Sequence, residues 1–204
     1  MLAIIQARSS SKRFNQKVLF SIKGKPMIDH VILRVKKSKS ISNLVVATSK
    51  NKSDDKLVAH LKKSKIKYYR GDLNNVAKRL VNAAKKYKQN YFLRINGDSP
   101  LIDYKIINKA VNIFKKNKKK KFDIITNVFP RTFPKGQSVE IINVNAISYN
   151  LHNMNKNEKE HVTQYFYKNS SNFSIKNFKS KKKILVKMTV DIKKDIDNII
   201  KILN

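Results

Sequence analysis

A loop rich in hydroxyl and cationic residues follows the first apolar run of the chain: Arg8, Ser9, Ser10, Ser11, Lys12 and Arg13, with Lys17 just beyond. Hydroxyls, backbone N–H groups and cations gathered in one loop can cradle a triphosphate. The loop is not a Walker loop, and no G-x-G-x-x-G occurs either. On residue types alone, a basic, serine-rich loop is more often simply solvated. Asp98 follows an apolar run and Gly97, a residue that permits close backbone approach. A carboxylate there can hold Mg²⁺ against substrate phosphates, or it can be an ordinary turn aspartate in Gly97-Asp98-Ser99-Pro100. Asp191 also ends an apolar run; it is either a second hard-cation ligand or a helix cap. The histidines lack metal-ligand spacing. His30 and His60 fall in helical stretches and His152 in a polar loop. His161, within Glu158-Lys159-Glu160-His161-Val162-Thr163, is the one worth testing.

These groups need elements to position them. Leu2 to Ala7 is continuously apolar, as a strand buried on both faces is. Pro26 opens a helix with Met27, Ile28, Val31, Ile32 and Val35 at helical spacing. A strand is expected over Asn43 to Thr48, a helix capped by Ser53, a strand over Ile66 to Tyr69 and a helix over Val76 to Tyr87. Tyr91 to Ile95 makes the next strand, Asp103 caps the next helix, and Phe122 to Thr126 is a further strand. This alternation predicts an α/β fold: a mostly parallel sheet with right-handed crossovers and helices on both faces. Regularity then declines. Strands are expected over Ser138 to Ile142 and Ile184 to Val190, and helices over Glu158 to Tyr167 and Ile192 to Leu203. The whole chain, 1–204, reads as one domain, with 131–168 as an arm. In such sheets ligands bind beyond the carboxyl ends of the strands, where Arg8 to Lys17, Asp98 and Asp191 all fall.

Composition bounds the function classes. The chain has 204 residues, 41% of them hydrophobic, enough for one α/β core. It has no cysteine, so disulfide, thiolate and cysteine-ligated metal chemistry are excluded. No apolar run approaches the roughly 18 residues of a membrane-spanning helix. The amino terminus lacks a basic start and a cleavage site, so it reads as a strand rather than a signal peptide, and the cytoplasm is the expected location. The net charge is +33. It comes nearly all from lysine spread from end to end, including the run Lys118 to Lys121, which reads as surface bias rather than a nucleic-acid footprint. Such a field also attracts small anionic substrates.

The ordered series of motifs resembles the cytidylyltransferases that activate acidic sugars, a family that includes the acylneuraminate and deoxy-manno-octulosonate enzymes. The nearest branch by resemblance is that of spore-coat polysaccharide biosynthesis protein F. Ile4-Ile5-Gln6-Ala7-Arg8, Lys17-Val18-Leu19, Gly24-Lys25-Pro26-Met27 and Val45-Val46-Ala47-Thr48 match in order. The most specific stretch is Arg94 to Asp103. Asn127, Pro130 to Gly136, Val139-Glu140, Glu160-His161-Val162-Thr163 and Thr189-Val190-Asp191 complete the series. The family loop normally reads Arg-Met-Gly-Ser-Thr-Arg-Leu-Pro-Gly-Lys. Here both glycines and the proline are gone, and Ser10 and Gln16 carry Cβ atoms in their place.

The resemblance implies a Rossmann-like nucleotide-diphospho-sugar transferase fold, usually a homodimer built partly through an arm. It implies transfer of CMP from CTP to a sugar, most often an acidic one, with release of pyrophosphate. Arg8, Ser10, Arg13 and Lys17 would bind the triphosphate, Lys17 and Arg8 taking charge at the reacting phosphate, with Arg79 and Gly97 near the nucleotide. Asp98 and Asp191 would hold Mg²⁺. Arg131, Glu140 and His161 would face the sugar or the arm. The rival readings are a glycosyltransferase or other-NTP transferase on the same fold, and a basic non-enzymatic nucleic-acid-binding protein.

Overall fold

The computed structural model describes residues 1–11, 13–117, 119–181 and 186–203. Lys12, Lys118 and the start of the expected 184–190 strand lie outside them.

The elements run in the order β1 (Leu2–Gln6), β2 (Ser21–Ile22), β3 (Lys25–Pro26), α1 (Met27–Lys36), β4 (Asn43–Ser49), α2 (Asp55–Lys63), β5 (Tyr68–Gly71) and α3 (Val76–Lys86). They continue with β6 (Tyr91–Asn96), α4 (Tyr104–Lys116), β7 (Ile124–Thr126), β8 (Glu140–Asn143), α5 (Val144–Asn150), α6 (Lys156–Glu160), α7 (Gln164–Lys168), β9 (Ile175–Asn177) and α8 (Asp195–Leu203). The main sheet has seven strands in the order β5-β4-β1-β6-β8-β7-β9, and β2 and β3 form a small hairpin.

Period-two burial explains the two layers. Ala3 and Ile5 of β1 enter one core with α1, α4 and α8, while Leu2 and Ile4 enter another with α3 and α5. β1 is therefore apolar from Leu2 to Ile5, as a strand covered on both faces must be, and only Gln6, at its carboxyl end, is polar. Local signals place several helix starts: Asp103 accepts from the Lys105 amide, Asn75 from that of Lys78, and Asn155 and Glu158 form a capping box at α6.

Four details differ from the sequence expectation. Ser53 does not cap α2; its amide donates to Asn51 Oδ1 in a preceding 3₁₀ turn. The strand expected at Ile66 begins at Tyr68, because Lys65 takes a positive φ of 53° and Ile66 still bonds back to Leu61. The helix expected over Glu158 to Tyr167 is broken at residues 161–163, where Val162 is drawn into the core and Thr163 toward Arg94. The 186–190 stretch makes one isolated bridge, Lys187 to Lys135, rather than a strand. The sheet is also not wholly parallel. β8 runs antiparallel to both β6 and β7, since the chain returns from β7 by a loop with no crossover helix. No helix among the described residues is long and apolar enough to cross a membrane.

Candidate active site

The carboxyl ends of β1 and β6 open into a cleft of about 290 Å³, bounded by Arg8, Lys17, Arg79, Gly97, Asp98 and Asp191 among others. Its floor is the loop after β1. Asp54, fully buried, clamps that loop: its carboxylate accepts from the Ser9 amide at 2.6 Å, the Ser49 amide at 2.9 Å and the Ser49 hydroxyl. Burial works to raise the Asp54 pKa, but the Ser49 hydroxyl and the Ser9 and Ser49 amides outweigh it and hold the carboxyl below its ordinary range. The end of β4 and the 3₁₀ turn at Lys52–Asp54 thus hold in shape a loop that lacks the family's glycines and proline. Gln16 occupies the left-handed region at φ 54°, ψ 21°, where a glycine would sit without strain, and its amide bonds to Ser9 O at 2.9 Å. The turn brings Lys17 to the cleft base.

Lys17 Nζ lies 3.2 Å from Asp98 Oδ2 and donates to the Val190 carbonyl at 2.9 Å. That second bond brings Asp191 beside Asp98 in one cleft. Asp191 itself is met by Lys187 at 3.0 Å and by Arg13 at 3.7 Å. Burial pushes its pKa up, but Lys187, then Lys17 and Arg13, more than offset this, so the group stays ionised. Among the described residues no group of three or more histidine or acidic side chains gathers that could hold a metal.

Gly97 fits because β1 passes so close. A Cβ there would meet Ala7 Cβ at 2.9 Å and Gln6 O at 3.0 Å, both too stiff to move aside. Gly97→Ala is expected to cost about 1–3 kcal/mol in urea unfolding. A neutral result would mean that β1 and β6 separate freely at this end.

Arg79 is 2% exposed and donates to the Asp72 carbonyl at 2.6 Å. Burial lowers its pKa to about 10, with Asp54 opposing, so it remains a cation at neutral pH. Its Nε and the Asn96 Oδ1 are buried on this cleft with no protein partner. Ser10 does not line the cleft, whereas its neighbour Ser11 does.

A second cleft of about 510 Å³ adjoins the first and holds Arg131, Glu140 and His161. The two share Arg94, Asn96 and His161. The β6–β8 register sets Arg94 opposite Glu140. Arg94 Nη1 donates to Glu140 Oε2 at 2.6 Å and to Thr163 Oγ1 at 3.3 Å, and its Nε donates to Gln6 Oε1 at 2.8 Å. Tyr167 donates to the other Glu140 oxygen at 2.5 Å. Burial first, then the Glu140 carboxylate, pushes the Tyr167 pKa well above its ordinary value. Arg131 reaches Ser138 Oγ at 3.1 Å on the rim.

Sequence reasoning marked neither Arg94 nor Glu160 as site residues. Glu160 ends α6 and reaches Arg8 at 2.5 Å. The available signal was the scarcity of acids in so basic a chain. Among the described residues every carboxylate except Asp197 has a hydrogen-bond or ion-pair partner. Asp197 sits in the first turn of α8, where the helix dipole favours it.

The cytidylyltransferase family model matches residues 2–204. The chain belongs to the cytidylyltransferase family. It is a nucleotidyltransferase that uses CTP as the source of CMP. It is similar to a cytidylyltransferase from Leptospira borgpetersenii serovar Hardjo-bovis, with a TM-score of 0.91, 29% identity, 98% of this chain and 84% of that one covered. It is 31% identical to an uncharacterized protein of Methanocaldococcus jannaschii over 176 residues, covering 86% of this chain and 70% of the relative. Its fold also matches CMP:2-keto-3-deoxy-manno-octonic acid synthetase complexed with CTP, at TM-score 0.74, 15% identity, 99% of this chain and 98% of that one.

Proposed function

We propose that this cytidylyltransferase joins CMP to an acidic sugar, as a member of the spore-coat polysaccharide F branch serving cell-surface glycan synthesis. The observation that carries this reading is the wall of Arg94, Asn96 and His161 shared by the two clefts. A donor in the first cleft and an acceptor in the second would meet across that wall. The Arg8 to Lys17 loop holds the triphosphate, with Arg79 at the nucleotide and Gly97 giving the close approach. An acceptor hydroxyl oxygen attacks the α-phosphorus and its proton passes to water. The bond from that phosphorus to the bridging oxygen breaks, and pyrophosphate leaves. Lys17 and Arg8 meet the charge that builds on the phosphoryl oxygens. Arg131, on the rim of the second cleft, offers a cation to a carboxylate on the acceptor, while Arg94 is already paired with Glu140.

Asp98 and Asp191 fit Mg²⁺: both offer hard oxygen donors on one cleft, and Asp191 is held ionised. The ion would neutralise phosphate charge when bound. Residues 140–143 of the stretch expected as an arm are β8, inside the main sheet, so a homodimer would be built through the surface beyond it, where Tyr149 is 72% exposed.

Thermal stabilisation by CTP, UTP, ATP, GTP and dTTP, each with and without Mg²⁺, tests the donor. Selective, Mg²⁺-dependent stabilisation by CTP is expected, about 2.7 kcal/mol at 100 times the dissociation constant. Small, equal shifts with all five would mean attraction to a cationic surface and would sink this reading. Pyrophosphate release with sugar acids against their neutral analogues then tests the acceptor class.

A further inference from the structure

Three carboxylates pair with the cations of the first cleft: Asp98 with Lys17, Asp191 with Arg13, and Glu160 with Arg8. Under the proposed function the two aspartates would hold Mg²⁺ in place of those cations. Glu160 has no such exchange partner. It comes from α6, outside the strand ends that build the rest of the cleft, and spans 152 residues of sequence to reach Arg8. It is also the residue before His161, at the head of the 161–163 break that carries His161 and Thr163 into the second cleft.

We propose that Glu160 is a displaceable counter-ion that couples the two clefts: the triphosphate takes Arg8 from it and frees the turn on which the acceptor cleft is built. The contact is end-on, from one Arg8 nitrogen, with the two side chains 33% and 42% exposed. Partly solvated, single-contact ion pairs of this kind are weak. A triphosphate presents more charge and several oxygens to the same guanidinium, so it wins the exchange. Because coupling is reciprocal, an acceptor that needs the released turn binds better once nucleotide is present. Until then, Glu160 places a negative charge where an anion must enter.

The inference rests on the first cleft taking the triphosphate, so the probes separate the two ideas. Calorimetry of CTP, cytidine and inorganic tripolyphosphate is compared in wild type and Glu160→Gln, alongside hydrogen exchange of residues 156–164. Removing the charge is expected to tighten CTP and tripolyphosphate about three- to tenfold at low salt, less at high salt, and to leave cytidine unchanged. Tripolyphosphate should raise exchange of the 156–164 amides in wild type, and in Glu160→Gln they should exchange fast already. Equal or weaker binding of tripolyphosphate by Glu160→Gln would overturn the proposal, as would exchange of the 156–164 amides that does not respond in wild type. Glu160→Asp, which keeps the charge, is expected to bind tripolyphosphate within about twofold of wild type; tightening as large as that of the glutamine variant would equally overturn it. Wild type that binds tripolyphosphate but shows no preference for CTP would count against the donor reading, with the Glu160 comparison still decided by tripolyphosphate.

Discussion

Lys17→Ala is expected to lower the rate of pyrophosphate release by about 10²–10³-fold at saturating CTP, the cost of removing one preorganised charged donor from a phosphoryl site. Lys17 is the group at the cleft base that touches both the Asp98 carboxylate and the backbone beside Asp191. Its placement depends on the left-handed Gln16 and the short turn that begins at Lys17. The fold should survive the change. Asp98 is 28% exposed at its side chain and can be rehydrated when its cation is lost. Thermal unfolding should therefore shift by only about a few degrees while turnover collapses. Lys17→Arg should recover little, because a planar fork does not replace a point charge held by a carbonyl and a carboxylate. Near-normal turnover of Lys17→Ala would refute the assignment of this cleft to the reacting phosphate.

The largest loss of stability should follow Glu140→Ala, about 3–5 kcal/mol in chemical denaturation. Arg94 and Glu140 are both nearly buried, with side chains 10% and 5% exposed. Deleting the carboxylate leaves a guanidinium in the interior with only Gln6 and Thr163 as neutral acceptors, and it strips Tyr167 of its charged acceptor. A double-mutant cycle with Tyr167→Phe should show strong coupling, because the two residues share one network. A loss below about 1 kcal/mol would mean that water enters the second cleft freely and that this pair is not desolvated. The same network explains the position of Arg94 on the wall between the clefts. Its guanidinium is held by partners from β1, β8 and the 161–163 break, so its rotamer does not depend on a bound acceptor.

The charge of the chain has a related explanation. A net charge of +33 invites a nucleic-acid reading. The acids that remain sit almost wholly where structure or chemistry engages them: at helix caps, under the phosphate-loop candidate, in the Arg94 network and around the first cleft. Lysine fills the solvated positions between. This pattern fits a surface drifted toward lysine around an enzyme, rather than a face built to follow a polyanion.

Much of this was legible in the residues. Burial of β1 on both faces, the helix at Pro26, the Asp103 cap and the glycine before Asp98 follow from periodicity, capping and close approach, all local properties of a few neighbouring residues. The motif series picked out the phosphate-loop candidate and, for the sugar or the arm, Arg131, Glu140 and His161, which line one cleft together. Other features came only with the tertiary structure. The antiparallel insertion of β8 sets Arg94 against Glu140 across 46 residues, Lys17 meets Asp98 across 81, and Arg8 meets Glu160 across 152. Nor could the sequence indicate that Asp54, which looked like part of a helix start, would hold the glycine-less loop in shape. Pattern and propensity act over one or two turns of chain. Pairing at these separations is decided by sheet order, strand register and the path of connecting loops, which exist only once the cores on both faces have closed.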